Sequence, residues 1–163
     1  MILVPVKNLS GAKQRLAAWF DQPTRTELAQ AMLFDVLETL GTWTDRPQVS
    51  VVTSDPFALQ LARQFHFSVI PDNANRSQTD AIEMATHWCE ARGVDSTLVI
   101  PGDVPLIQSW ELEQILRSAP AEGSVLVRAA AGRRTNAIWR SPAGWFPARS
   151  RTDESGEPTP ERK

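Results

Sequence analysis

Met1-Ile2-Leu3-Val4-Pro5-Val6-Lys7-Asn8-Leu9-Ser10-Gly11-Ala12-Lys13-Gln14-Arg15-Leu16 opens the chain and decides its fold class. Residues 2–6 are an unbroken apolar run rich in β-branched side chains, the pattern of a strand covered on both faces. A polar loop with three cations follows at once. Working outward, short apolar runs recur at 49–53, 67–70, 97–100 and 124–127. Between them lie segments with apolar spacing of three and four. The clearest carries Leu28, Met32, Asp35, Val36 and Leu40, with Pro23 and Thr24 placed to start a helix. A second runs from Pro56 through Leu59, Ala62 and Phe65. A third begins near Thr79, carries Ile82, Ala85 and Cys89, and stops at Gly93. A fourth opens with Ser109 as N-cap and early acids. Strand–helix alternation of this kind implies an α/β fold with a mixed, mostly parallel sheet and right-handed crossovers.

Sheets of this type bind ligands at the carboxyl ends of their strands, beside the point where strand order switches. The segments to inspect are therefore 7–15, 54–55, 71–80, 101–105 and 128–136. A net charge of −2 over 163 residues leaves no surplus of Lys and Arg for general polyanion binding, so nucleic acid is not an expected partner. No apolar run approaches the roughly 20 residues that cross a bilayer. The opening residues lack the basic region and longer apolar stretch of a signal peptide, so the expected compartment is the cytoplasm. Cys89 is the single cysteine, which excludes an internal disulfide and a cysteine metal cluster; it reads as a buried structural thiol. His66 and His87 lie away from the candidate loops and do not form a metal site. Trp88, Trp139 and Trp145 read as packing residues. Beyond Trp145 the character changes, and residues 150–163 contain no side chain large and apolar enough to join a core. The expected organisation is one domain over 1–147 and a disordered tail over 148–163.

Three segments carry chemistry. Lys7, Lys13 and Arg15 lie within nine residues around a Ser-Gly pair, in a loop between a buried strand and a helix. Free backbone N–H groups and a helix start would add partial positive charge there, which suits a triphosphate. A solvated basic turn has the same composition, and neither the Walker spacing nor G-x-G-x-x-G is present. In Val99-Ile100-Pro101-Gly102-Asp103-Val104-Pro105-Leu106 a buried strand ends in Gly and a carboxylate between two prolines. An Asp held at that place can carry Mg²⁺ against a nucleotide phosphate, or simply cap the turn. In Gly132-Arg133-Arg134-Thr135-Asn136-Ala137-Ile138, Thr135 and Asn136 offer hydrogen bonds to a phosphate or carboxylate, with two Arg residues supplying charge. A polar loop entering an edge strand would read the same way. The polar stretch from Pro71 to Asp80 is a weaker candidate for contact with a base or ribose.

Taken in order, Val4-Pro5-Val6-Lys7 with Ala12-Lys13-Gln14-Arg15-Leu16-Ala17, then Ile100-Pro101-Gly102-Asp103-Val104-Pro105-Leu106, then Thr135-Asn136-Ala137 resemble one family. It is the 2-phospho-L-lactate guanylyltransferases, also described as phosphoenolpyruvate guanylyltransferases, related to the MobA-like nucleotidyltransferases. The resemblance runs from residue 1 to about 147. It implies a three-layer, Rossmann-like fold of the GT-A type and transfer of GMP from GTP to the phosphate of a small acid, with release of pyrophosphate. In that family the product feeds assembly of the deazaflavin coenzyme F-420. By position, Lys7, Lys13, Arg15 and Gly102 would bind the nucleotide, and Lys13, Arg15 and Asp103 would serve catalysis. Asp103 would hold Mg²⁺, and Thr135 and Asn136 would serve the acceptor. A homodimer is compatible with the resemblance. Two departures stand out. Arg134 replaces the Gly of the usual Gly-Thr-Asn, where a side chain would strain or crowd the site if that Gly has positive φ. The final polar run replaces an Arg-Phe-Gly segment, a Ser and a helix, and is read as a reading-frame change or truncation. Two alternatives accompany this reading: a relative that binds GTP without turnover, and a transferase with a sugar-phosphate acceptor. The first loop speaks against the latter, because it lacks a Gly-Gly start.

Overall fold

Parallel strands cannot be joined by tight turns, and this chain supplies most of its crossovers as helices. A computed structural model describes residues 1–73, 76–128 and 135–145. In chain order the elements are β1 (Ile2–Pro5), α1 (Gln22–Thr42), β2 (Val49–Thr53), α2 (Pro56–Gln64), β3 (Ser68–Pro71), α3 (Gln78–Glu90), β4 (Thr97–Val99), α4 (Ser109–Arg117), β5 (Gly123–Arg128) and β6 (Thr135–Ser141). They form one sheet in the order β3-β2-β1-β4-β6-β5. Strands β1 to β4 pair in parallel, and β6 runs antiparallel to both β4 and β5. The expected mixed, mostly parallel α/β sheet is what forms. Reversal of β6 alone has a consequence for the site: its amino end lies at the carboxyl end of β4.

Alternation along the strands feeds two cores. Ile2, Val4, Val51, Leu98 and Trp139 face a layer containing Leu33, Leu37, Ala58, Leu61 and Leu112 from α1, α2 and α4. Leu3, Val52, Ile70 and Val99 face Ala81, Ile82, Ala85 and Cys89 of α3. Covering both faces is why β1 reads as an unbroken apolar run and β2 and β4 as nearly continuous ones. Among the described residues no helix is long and apolar enough to cross a membrane.

Several local expectations need correction. In α1 the expected Val36 and Leu40 are buried, but Ala29, Leu33 and Leu37 complete the stripe in place of Leu28, Met32 and Asp35, and Leu28 is 40% exposed. In α2 the buried set is Ala58, Leu61 and Ala62. The N-cap of α4 is Gln108, which forms a reciprocal capping box with Glu111. The run at 124–127 is the outermost strand, and Leu126 on it is 56% exposed. Trp139 is buried and Trp88 packs beside the α3 core, but Trp145 is 43% exposed and does not sit inside. Cys89 is buried as expected, and burial raises its thiol above the ordinary range. Arg133, Arg134 and the expected tail over 148–163 lie outside the described residues.

Candidate active site

The loop after β1 does not run into an α-helix. It folds as two 3₁₀ turns, Leu9–Gly11 and Gln14–Leu16, and α1 starts only at Gln22, with Asp21 as its N-cap accepting the Thr24 N–H. The expected helix dipole behind the cations is therefore displaced, and other contacts hold the loop. Asn8 Oδ1 accepts the Ser10 N–H at 2.9 Å, and the Ala12 N–H returns to the Leu9 carbonyl. Leu9 is buried in the larger core. From the other side Arg25, 7% exposed on α1, donates to Gln14 Oε1 at 3.0 Å and to Gln22 Oε1 at 2.6 Å, and Gln14 in turn donates to the Gly11 carbonyl. Between these braces Lys13 takes φ 55 and ψ 39, the left-handed region that non-glycine residues rarely occupy. Such backbone survives only where surrounding contacts over-determine it, and it clusters at functional sites.

Ninety positions later the β4 strand delivers the second component. Gly102 is in close contact with the framework: a Cβ there would stand 3.0 Å from Leu33 Cδ1 and 3.3 Å from Val6 Cγ2. Absence of a side chain lets the Pro101–Asp103 segment settle onto α1 and the end of β1. Asp103 then meets the cation loop, and Lys13 Nζ donates to its Oδ2 at 3.0 Å. The Lys13 side chain is 20% exposed and that of Asp103 48%, so the pair sits at a rim open to solvent.

The other expected site residues divide. Lys7 is engaged with Asp72, its Nζ 2.7 Å from Oδ2 of a carboxylate that is 5% exposed. That contact ties the ends of β1 and β3 across β2. Arg15 lies in the second 3₁₀ turn, exposed, and makes no ion pair among the described residues. Thr135 and Asn136 begin β6, which is an interior strand rather than an edge; β5 is the edge on that side. Val99 faces Ile138 as the last pair of the β4–β6 ladder, so Thr135 and Asn136 lie beyond the carboxyl end of β4. Val127 faces Ala137 while Arg128 faces Thr135, so Asn136 is the extra residue of a β-bulge, a device that re-aims side chains and recurs next to active sites. Lys7, Lys13, Gly102, Asp103, Thr135 and Asn136 thus share one rim of the sheet, at the carboxyl ends of β1 and β4.

Arg25 escaped sequence reading; Asp55 and Asp72 fell in two of the strand-end segments singled out, 54–55 and 71–80, but without the roles they take here. Asp55, in Thr53-Ser54-Asp55-Pro56, had the signal of a cap before a proline-started helix. Asp72 lay in the polar stretch expected to contact a base or ribose and instead holds Lys7, and Arg25 looked like any helical arginine.

Magnesium suits the donor set in one specific way. Mg²⁺ keeps much of its water and is commonly held by one or two carboxylates together with substrate phosphates. Among the described residues no cluster of three acidic, His or Cys side chains forms a protein-only cage. One half-exposed carboxylate beside a cation loop fits an ion delivered with a nucleotide.

The chain is 26% identical over 140 residues to the 2-phospho-L-lactate guanylyltransferase of Methanobrevibacter smithii, covering 86% of this chain and 61% of that protein. It is 34% identical over 122 residues to the phosphoenolpyruvate guanylyltransferase of Mycolicibacterium smegmatis, covering 72% and 53%. The chain therefore spans roughly half to three-fifths of the length of these relatives. Among solved structures, a protein assigned to the nucleotide-diphospho-sugar transferases from Desulfovibrio desulfuricans G20 superposes with a TM-score of 0.69 at 14% identity, covering 90% of this chain and 64% of that one. A cytidylyltransferase from Leptospira borgpetersenii gives 0.57 at 18%, covering 87% and 60%. Those likenesses establish a nucleotidyltransferase-like fold. The family model described as "Guanylyl transferase CofC like" matches residues 1–144, and the chain belongs to that family.

Proposed function

We propose that the chain binds GTP across the carboxyl ends of β1 and β4 and transfers GMP to the phosphate of a small phosphorylated acid. Phosphoenolpyruvate, 2-phospho-L-lactate or a close analogue is the acceptor, and the reaction belongs to assembly of coenzyme F-420 in the cytoplasm. An acceptor phosphate oxygen attacks the α-phosphorus of GTP, the bond to the β-phosphate oxygen breaks, and pyrophosphate leaves. No covalent nucleophile is needed, so the protein's task is to position two anions and neutralise their charge. The observation that carries the reading is the 3.0 Å contact between Lys13 and Asp103, which places a cation and a carboxylate from distant loops at one rim.

In this scheme Lys13 turns from Asp103 to the triphosphate, and Arg15, exposed beside it, adds a second charge. Asp103 would hold Mg²⁺, which when bound screens the negative charge of the phosphates. Lys7, fixed by Asp72, contributes positive potential at the floor of the site. Thr135 and the bulged Asn136 contact the acceptor from β6. Family membership and the names of the relatives support the guanine nucleotide and the acid acceptor. Calorimetry with GTP and Mg²⁺ is the first test, and undetectable binding would overturn the proposal. Pyrophosphate release over a panel of phospho-acids and sugar phosphates is the second. Turnover on phosphoenolpyruvate or 2-phospho-L-lactate supports it, and turnover only on a sugar phosphate replaces the acceptor.

A further inference from the structure

Asp55 belongs to neither the cation loop nor the Asp103 loop, yet it holds the first of them. Strand β2 is buried along its whole length and presents Asp55 just beyond its carboxyl end, where the Asp55 N–H donates to Thr53 Oγ1 at 3.0 Å. Asp55 is itself 7% exposed. Its Oδ1 accepts the Ala58 N–H at 3.0 Å, capping α2. Its Oδ2 accepts the Leu9 N–H at 2.9 Å, from 46 positions earlier in the chain. Capping needs only one of these oxygens, and serine performs it about as well. The second bond does nothing for α2. It fixes the first residue of the 3₁₀ turn whose exit leads, four residues on, to the left-handed Lys13. Leu9 is thereby held twice, by its side chain in the core and by its N–H on a buried carboxylate.

We propose that Asp55 is a positioning residue for nucleotide binding: through Leu9 it sets the loop that presents Lys13 and Arg15 at the rim occupied by Asp103. This rests on the GTP reading above. A bond from an N–H to a buried carboxylate is strong, and losing it leaves a donor to be re-solvated and a loop to be ordered on binding.

Asp55→Ser separates the two roles of the carboxylate, since serine retains the α2 cap and cannot reach Leu9. Asp55→Asn is the second variant: its carbonyl can serve Ala58, and its amide then turns a donor toward the Leu9 N–H. Hydrogen exchange of loop 8–16 and of α2, and the Kd for GTP with Mg²⁺ by calorimetry, are measured for all three proteins. The expected result is faster exchange in loop 8–16, unchanged protection in α2, and a Kd raised about five- to tenfold in both variants. A merely structural role would lower the melting temperature and the competent fraction but leave the Kd of the folded fraction unchanged. Unchanged exchange in the loop, or faster exchange with an unchanged Kd, overturns the inference. Failure of the unsubstituted chain to bind GTP overturns the functional reading instead, and the exchange data then decide alone whether Asp55 holds the loop.

Discussion

Asp103→Asn is expected to shift GTP affinity in opposite directions with and without magnesium. In the free protein Lys13 is committed to Asp103 at 3.0 Å, with 20% and 48% of the two side chains exposed. A pair that open to solvent nets about 0.2–1 kcal/mol. The greater shelter of Lys13 argues for the upper end, about 1 kcal/mol, which is roughly fivefold in an equilibrium constant. When EDTA removes divalent ions, GTP must take Lys13 from the carboxylate and approach a fixed negative charge. Removing that charge eliminates both costs, so Asp103→Asn should bind GTP about two- to tenfold more tightly than the unsubstituted chain. In millimolar Mg²⁺ the same substitution would, on the proposed reading, remove the ion's protein ligand, and affinity should fall by about tenfold or more. Calorimetry under both conditions, at one ionic strength, reads the two numbers directly. A structural defect would weaken binding in both. Equal weakening in EDTA and in Mg²⁺, or no change in either, would refute the reasoning.

Gly102→Ala should destabilise the fold by about 1–2 kcal/mol, because the new methyl meets Leu33 Cδ1 at 3.0 Å and Leu33 is itself fully buried, with little room to give. That corresponds to a fall in Tm of about 2–8 °C, and an unchanged melting curve would contradict the close approach. Arg25→Lys should cost about 1–2 kcal/mol in urea denaturation, since one ammonium cannot reproduce the fork that reaches Gln14, Gln22 and the Asp21 carbonyl. A variant as stable as the parent would show that this brace is idle. Cys89 should resist thiol reagents at pH 8 until the chain unfolds, because it is buried and burial raises its pKa. Since the folded thiol holds its proton more tightly than the unfolded one, this group's contribution to stability is complete below the unfolded value of about 8.5 and diminishes as pH rises through the folded pKa. Rapid stoichiometric labelling of native protein would contradict that burial.

The strands and helices were legible because their patterns are local. Residues 2–6 are apolar on successive positions and 49–53 and 97–100 nearly so, broken only by the small polar Ser50, Thr53 and Thr97, a pattern that suits strands covered on both faces. Pro23 and Pro56 marked two helix starts that the structure places at Gln22 and Pro56. The face of α1 was less legible. Leu28 and Met32 fit a helical stripe as well as Ala29 and Leu33 do, and tertiary packing chose the second. The loop after β1 misled because a cation-rich stretch before a long helix resembles a helix start. Two 3₁₀ turns intervene, stabilised by Asp55 and Arg25, whose contacts are made across space.

By itself, the order of residues determined the α/β class and which chemical types stand just beyond the strand ends, since periodicity and strand-end position depend on near neighbours. Which of those groups meet was settled only by the folded chain. Lys13 reaches Asp103 while Lys7 turns to Asp72, and Thr135 and Asn136 arrive beyond the carboxyl end of β4 because β6 runs backwards between β4 and β5. Pairings over 65 and 90 positions leave no local pattern, because their partners become neighbours only when the sheet assembles.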